Sequence, residues 1–277
     1  MKKYVISVIF LLFVAITAAL GLKGRVLSES TVENVHSVRQ DTQEVQDNAT
    51  DSIDIPLPLQ DVSEQILYRK GYIVSYNKDL KIPNWVAWHL TAAHVAGEVK
   101  RPKNAWHEDT QVPLPRATDG DYRNSGWTRG HMCPAGDNKW NAQAMYESFL
   151  FTNACPQNAN LNSGDWHEIE KACRRWAGKY GDIYIVCGPV LFRQQHTTVG
   201  QNQVVVPEAF FKVIVRFNPT PKGIGFICRN TDGNRKKDFY VNTINQTERI
   251  TGIKFFPSLS GEIAAQVKDS ADIKDWE

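Results

Sequence analysis

The chain has 277 residues, of which 42% are apolar, 10% aromatic and 22% charged, and its formal net charge is +2. This composition is ordinary for a folded protein and excludes a repeat array, a coiled coil and a fibre. The small positive charge permits a polyanionic partner but does not require one.

Residues 1–24 have the pattern of a secretory signal peptide. Lys2 and Lys3 precede an uncharged run from Tyr4 to Leu20 that ends in small residues. At about 18–20 residues the run is also long enough to act as an uncleaved N-terminal membrane anchor. In both cases the lysines predict that the start stays cytoplasmic and that the remainder is exported, as a secreted, periplasmic or membrane-anchored domain.

Residues 25–55 are predicted to be a disordered polar linker, because they contain no aromatic residue and have an acidic excess. Residues 56–277 then form the functional domain. Residues 1–55 hold five of the 32 basic and seven of the 30 acidic residues, so the domain has a net charge of +4.

Five cysteines occur in the chain, and none has zinc-type Cys-x-x-Cys spacing. Export favours disulfides, although an odd count leaves at least one thiol free. Cys187 and Cys228 lie in apolar, strand-like runs, where buried thiols are an equally good interpretation. The pairing therefore stays open.

The hydrophobic pattern predicts an alternation of strands, loop and helices along the domain. The order suggests an α+β fold with a mainly antiparallel sheet flanked by helices. The predicted elements are strands at 71–77 and 84–95, a loop at 100–125, helices at 141–150 and 161–181, and strands at 182–192, 208–217 and 223–230.

The helix at 161–181 has the clearest end signals. Ser163 stands at a capping position, acidic residues come early and basic residues late, and Gly181 follows the last apolar residue. Such residues can pair with the backbone N–H and C=O groups that lack partners at the ends of a helix, and their charges match the helix dipole.

The stretch "WTRGHMCP", residues 127–134, contains a candidate catalytic histidine. A lone histidine is more often structural than catalytic. His131 differs because it follows Arg129 and Gly130, and a glycine lets the backbone turn so that neighbouring side chains converge.

The later helix contains a second candidate constellation. Asn162, Trp166 and Glu170 are spaced i, i+4, i+8, which predicts that they lie within about 80° of one helix face, and Arg174 continues the row. Asn and Glu supply oxygen ligands that hard cations accept. The alternative is that Glu170 and Arg174 form an ordinary surface ion pair.

Together, "RGHMCPAGD" (129–137) and "TNACPQNANLNSGDWHEIEKACRRWA" (152–177) resemble the DNA/RNA non-specific endonucleases. These are the ββα-metal nucleases, which include mitochondrial endonuclease G. The spacing from Asn153 to Asn162 is nine residues and from Asn162 to Glu170 is eight, as in the family pattern. The resemblance covers most of residues 66–260. It implies a ββα-metal catalytic motif and a hydrolase that cleaves phosphodiester bonds in DNA and RNA.

The resemblance also implies roles for the central residues. His131 would be the general base, and its ordinary pKa of about 6.5 suits that task. Asn162 would be the direct protein ligand of Mg²⁺, with Mn²⁺ as a substitute, and Glu170 would hold metal-bound water.

The remaining site residues are implied on the substrate side. Arg129 and Arg174 would contact phosphate, where guanidinium groups pair well. Arg101 is a weaker match to a family arginine, and Asn153 is placed to shape the substrate site rather than to contact metal. The expected partners are DNA and RNA, bound through the phosphate backbone without sequence preference. A homodimer is compatible with the family, and membrane contact would involve only an uncleaved N-terminal segment.

Thr128 departs from the family pattern, which commonly has aspartate before Arg-Gly-His. If that aspartate supports the loop, threonine supplies a smaller hydrogen-bonding group; if it tunes the base, activity changes. Two other functions stay open: a non-catalytic nucleic-acid-binding relative, and a phosphodiesterase for small substrates.

Overall fold

The computed structural model describes residues 55–231 and 233–277. The predicted signal peptide or anchor at 1–24 lies outside these ranges, as does the predicted linker at 25–55 apart from its last residue. Their assignment stays a prediction. Across the described ranges, no helix combines the length and apolarity that crossing a bilayer requires.

A seven-stranded antiparallel sheet forms the centre of the fold. The strands of the described chain are β1 (Gln65–Tyr68), β2 (Ile73–Asn77), β3 (Ile82–Thr91), β4 (Thr128–His131), β5 (Ala154–Gln157), β6 (Asp182–Val190), β7 (Thr198–Val199), β8 (Val204–Val205), β9 (Ala209–Arg216), β10 (Lys222–Arg229) and β11 (Val241–Asn242). The sheet order is β1-β2-β3-β6-β9-β10-β11, with every neighbouring pair antiparallel. β4 pairs only with β5, and β7 only with β8.

Helices cover both faces of this sheet. They are α1 (Ala92–Val95), α2 (Asp119–Tyr122), α3 (Ala142–Glu147), α4 (Ala159–Ser163), α5 (Asp165–Tyr180), α6 (Ile244–Thr251) and α7 (Gly261–Lys268). Apolar residues of α5 pack with one face of the sheet, and those of α6 and α7 pack with the other.

The strand β9 is apolar on both faces except at the buried Lys212 and at its last residue, Arg216. Phe211 and Val213 belong to the core beneath α6 and α7, whereas Phe210 and Ile214 belong to the core beneath α5. A strand buried on both faces has no solvent side on which polar residues could alternate. The predicted α+β fold with a mainly antiparallel sheet flanked by helices is confirmed.

Two predicted boundaries were wrong. The strand predicted at 84–95 ends at Thr91, whose hydroxyl accepts a hydrogen bond from the backbone of His94 and so starts α1. The region 100–125, predicted as loop, contains α2. Its start is a capping box in which the carboxylate of Asp121 accepts hydrogen bonds from the backbone and hydroxyl of Thr118.

The helix predicted at 161–181 is broken into α4 and α5 at Gly164. The backbone there is non-helical (φ −103°, ψ −110°), and a Cβ would lie 2.5 Å from the carbonyl oxygen of Asn160. Ser163 is not a cap: it ends α4, and its hydroxyl donates to the carbonyl of Ala159 at 2.8 Å. The predicted stop at Gly181 is confirmed, with φ of 94°.

All five cysteines are buried and unpaired: Cys133, Cys155, Cys173, Cys187 and Cys228. The disulfides that export would favour are not formed. Burial instead raises the pKa of each thiol.

Candidate active site

The hairpin β4–β5 and the helix α4 bring the two halves of the candidate site together. Thr128 at the start of β4 pairs with Gln157 at the end of β5. Asn158 follows at once, and its side chain caps the first turn of α4. Because the chain turns back directly after the strand, Asn162 on α4 reaches β4, where its Nδ2 donates to Oγ1 of Thr128 at 2.9 Å.

His131 ends β4 among aromatic rings. Its imidazole lies 4.4 Å from the ring of Trp106 and 5.0 Å, edge to face, from that of Phe149. Burial lowers the pKa of His131 to about 4; the carboxylate of Glu170 opposes this shift and the guanidinium of Arg101 adds to it. The imidazole is therefore neutral at pH 7. Its Nε2 is buried without a hydrogen-bond partner among the described residues.

A directional pair of hydrogen bonds fixes the side chain of Asn162. The hydroxyl of Thr128 donates its single hydrogen to the carbonyl oxygen of Gln157 at 2.8 Å. Toward Asn162 the hydroxyl can only accept, so it takes the amide Nδ2 and leaves the amide Oδ1 on the opposite side. This Oδ1 accepts no hydrogen bond within the described part of the chain.

Glu170 lies on α5 and faces the same region. Its side chain is 11% exposed, and its carboxylate lies 3.4 Å from Nδ1 of His167. Trp166, one turn earlier, is fully buried in the core. The predicted single row is thus only partly right: Trp166 and Glu170 share a face of α5, but Asn162 belongs to α4 and reaches the site through the break at Gly164.

Arg174 is paired with a buried carboxylate rather than with Glu170. Its Nη1 donates to Asp137 Oδ1 at 2.9 Å, and Trp88 donates to the other oxygen of Asp137 at 3.1 Å. Burial raises the pKa of Asp137 to about 6, against the opposing effect of Arg174. The guanidinium is therefore held in place on the side of α5 that faces the loop after His131.

Two further arginines flank the base. Arg129 lies two residues before His131, on the same face of β4, and forms an ion pair with Asp119 of α2. Arg101 comes from the long loop after α1, and its guanidinium lies 4.7 Å from the ring centre of Phe149. Both positive groups thus stand near the aromatic pocket of His131.

Asn153 is fully buried, and its side-chain amide forms hydrogen bonds with backbone atoms. Its Oδ1 accepts from the backbone nitrogen of Cys133 at 2.9 Å, and its Nδ2 donates to the carbonyls of Cys133 and Ser148, each at 2.8 Å. These bonds fix the loop that follows His131. The geometry supports a shaping role for Asn153 and leaves no polar atom of its amide facing a substrate.

The donor set fits a hydrated hard cation. Among the described residues there is no group of three or more His, Cys, Asp or Glu that could hold a metal ion. What the site offers is the free amide oxygen of Asn162 and the partly buried carboxylate of Glu170. Oxygen donors in small number suit Mg²⁺, which keeps several of its waters.

Three residues of the site were missed by sequence reasoning. Trp106 packs on His131, Asp119 holds Arg129, and Asp137 holds Arg174. Asp137 ends the string "RGHMCPAGD", so its position was visible but its role was not. Trp106 and Asp119 lie in a region without periodicity, which gives no signal for what they contact.

Similar proteins support the nuclease interpretation of this geometry. Nuclease EXOG, mitochondrial, of Danio rerio is 33% identical over 74% of this chain and 65% of its own length. Endonuclease G, mitochondrial, of Bos taurus is 32% identical over 54% of each chain. A crystal structure of the EndoG/EndoGI complex superposes with a TM-score of 0.69 and 27% identity, covering 74% of this chain and 89% of that one. The chain spans about half to two thirds of the length of these curated relatives.

The predicted export is wrong. The relatives are named as mitochondrial nucleases, which contradicts a secreted or periplasmic location and removes the support for a signal peptide. The physical reason is that Lys2, Lys3 and the apolar run report only affinity for a membrane or a targeting machinery. They do not specify which compartment receives the domain.

The family assignment rests on most of the chain. The model of the DNA/RNA non-specific endonuclease family matches residues 53–262, a range that contains the sheet, the β4–β5 hairpin and both helices of the site. Members of such a family are hydrolases of phosphodiester bonds. With the match in sequence, the similar relatives and the shared fold in agreement, this chain belongs to the DNA/RNA non-specific endonuclease family.

Proposed function

We propose that this chain is an endonuclease that hydrolyses phosphodiester bonds of DNA and RNA without sequence preference, with Mg²⁺ as cofactor and Mn²⁺ as a substitute. The observation that carries the proposal is the pairing of a neutral, half-buried His131 with an Asn162 whose amide oxygen is fixed and free. A base and a hard-cation ligand on adjacent elements are what metal-assisted hydrolysis needs.

His131 is the general base in this proposal. Its neutral imidazole can take a proton from the attacking water at neutral pH, because burial among Trp106 and Phe149 disfavours the charged form. Glu170 opposes this shift through its negative charge, which also stabilises the imidazolium once the proton has been transferred.

Asn162 and Glu170 would hold the cation, Asn162 through its Oδ1 and Glu170 through cation-bound water. When bound, the cation supplies charge stabilisation for the developing phosphorane-like state and the leaving oxygen. Thr128 keeps the amide of Asn162 in the orientation that presents this oxygen.

Arg129 and Arg174 would bind phosphate oxygens. Each is oriented by a carboxylate, Asp119 and Asp137 respectively, which restricts the guanidinium and leaves its other nitrogens available. Arg101 contributes positive charge beside His131. Contacts of this kind address the backbone and carry no base sequence.

The full chain should nick supercoiled plasmid and degrade an RNA transcript in Mg²⁺, and EDTA should abolish both reactions. His131→Ala should lower kcat by about a hundredfold or more, since general-base catalysis contributes on that scale. The matched control is His89→Ala, a histidine of β3 paired with Asp182 away from these residues.

The outcomes separate the proposal from its alternatives. Nucleic-acid binding without cleavage in any of several divalent metals would favour a non-catalytic relative. Cleavage of a small phosphodiester with an intact plasmid would favour a small-substrate phosphodiesterase. A His131→Ala variant as active as His89→Ala would overturn the assignment of the base.

A further inference from the structure

A second concave surface lies along α5. It is a pocket of about 520 Å³ whose lining is dominated by cationic side chains. The lining residues are Val95, Gly136, Lys139, Lys171, Arg174 and Arg175. The site described above uses only one of them, Arg174.

The positive charge of this pocket is only partly balanced. Lys171 is paired with Glu168, and Arg174 is paired with the buried Asp137. Lys139 and Arg175 are exposed, and their side chains form no ion pair or hydrogen bond with other residues in the described ranges. Four cations against two carboxylates leave a formal charge of +2, concentrated on the two free side chains.

The pocket is connected to both halves of the candidate active site. Lys139 lies on the loop that begins at His131, and Arg175 lies on the helix that carries Glu170. Arg174 is one helical turn after Glu170, a rise of about 6 Å along the axis. At Gly136 an added Cβ would lie 2.8 Å from Nη1 of Arg174, so the loop and the helix are in close contact here.

We propose that Lys139 and Arg175, with Lys171 and Arg174, form a subsite for a backbone phosphate of the nucleic-acid strand next to the phosphodiester that is cleaved. The inference rests on the proposed function and extends it. A phosphate between Lys139 and Arg175 would be held by one group from each half of the site. It would therefore set the position of the strand relative to His131 and Asn162.

Nucleic acid fits this pocket better than a free phosphate ion. The pocket is open, and its free cations are long, solvated side chains rather than buried donors. One isolated phosphate gains little from such groups in water. A strand that is already bound at the neighbouring phosphodiester brings its next phosphate to the pocket at high effective concentration.

The test is the affinity of the full-length protein for a short fluorescein-labelled single-stranded oligonucleotide, measured by anisotropy in EDTA at several salt concentrations. Lys139→Gln combined with Arg175→Gln should weaken binding about tenfold. The dependence of log K on log salt should become less steep by about 0.7, the contribution of one phosphate on a single strand.

A matched control removes equal charge elsewhere. Arg249→Gln with Lys274→Gln changes one arginine and one lysine, both exposed and neither lining the pocket. This variant should keep the wild-type slope. Equal losses in the two double variants would show a general charge effect and overturn the subsite. Inorganic phosphate can be titrated at the concentrations used for the oligonucleotide. If it binds wild type but not the pocket variant at those concentrations, the pocket is a site for free phosphate and the backbone assignment is overturned.

Binding in EDTA also separates this inference from the proposed function. A wild type that binds with the expected slope but cleaves nothing in Mg²⁺ would refute the nuclease proposal and leave the subsite standing. A wild type that cleaves, together with a pocket variant of unchanged affinity and slope, would refute the subsite alone.

Discussion

Thr128, the residue that departs from the family pattern, is hydrogen-bonded to the proposed metal ligand Asn162. Its hydroxyl joins the amide of Asn162 to the backbone of Gln157, and no hydrogen bond links it to His131 among the described residues. Of the two interpretations that the sequence left open, the geometry favours support of the site over tuning of the base.

Thr128→Val should therefore impair the use of Mg²⁺. Valine has nearly the same shape but no hydroxyl, so the amide of Asn162 loses its partner and can rotate. The Mg²⁺ concentration for half-maximal cleavage should rise roughly tenfold, as is usual when a group that orients a ligand is lost. A Mg²⁺ titration of plasmid nicking measures this.

Thr128→Ser is the control, because serine keeps the hydroxyl and its single hydrogen. Its Mg²⁺ titration should stay close to wild type, and thermal melting should establish that the valine variant is folded. If valine and serine give the same titration, the hydroxyl does not orient Asn162.

The burial of His131 predicts the acid limit of activity. A base must be neutral, and the pKa of His131 is lowered from its usual value to about 4. Activity should therefore be present above this pKa and be lost as pH falls through it. In the free enzyme kcat/KM should hold between about pH 7 and 5 and decline near pH 4, rather than near the ordinary value of about 6.5.

The pH profile needs a folded protein at each point, which far-UV circular dichroism on the same samples can verify. Trp106→Ala provides the comparison: it opens one side of the imidazole to water and should move the acid limb toward 6.5. An acid limb already at 6.5 in wild type would mean that the ring is solvated in solution.

The break between α4 and α5 shows how far sequence spacing can be used at the scale of elements. The row at i, i+4, i+8 assumed one continuous helix over 161–181. The structure places Asn162 and Glu170 on two separate helices, α4 and α5, on either side of the non-helical Gly164. Residue types and their order were predictable here because they follow chemistry. Their geometry was not, because it depends on a close approach of the backbone at Gly164 to the carbonyl oxygen of Asn160, which leaves no room for a Cβ.

The β4–β5 hairpin depends on another glycine. A Cβ on Gly130 would lie 2.2 Å from Oε1 and 2.6 Å from Cβ of Gln157, whereas a Cβ on Gly178 of α5 would meet no atom within 4 Å. Gly130→Ala should destabilise the protein by about 1–3 kcal/mol, because the strands must separate to admit the methyl group. Gly178→Ala should instead stabilise it by about 0.5–1 kcal/mol through helix propensity.

Chemical denaturation of the two alanine variants measures both changes in the free energy of unfolding. The pair is a matched one, since each adds a single methyl group to a glycine. Gly130→Ala should also lose cleavage activity, as it moves His131 relative to Asn162. Equal stability of the two variants would contradict the close contact at Gln157.

At the scale of the whole molecule, the sheet was predictable and the surroundings of the site were not. Strands such as β6 and β9 are long, largely apolar stretches followed by turn residues, so their existence follows from local pattern. The partners of Arg129 and Arg174 come from α2 and from the loop after His131, which no local pattern relates to them. The compartment was mispredicted for a similar reason, because the N-terminal pattern does not specify which compartment receives the domain.

The pairing of β3 with β6 has a consequence for the order in which the protein assembles. Thr91 pairs with Asp182, so residues 92–181, with the hairpin, α4 and α5, form one excursion between neighbouring strands. Contacts between strands so distant in sequence can form only after the intervening chain has closed into a loop. The conformational entropy lost in closing that loop slows folding. The β3–β6 pairing therefore forms only when the segment that carries the site residues has brought its two ends together. A change that impairs the packing of that segment, such as Gly130→Ala, should therefore also slow refolding.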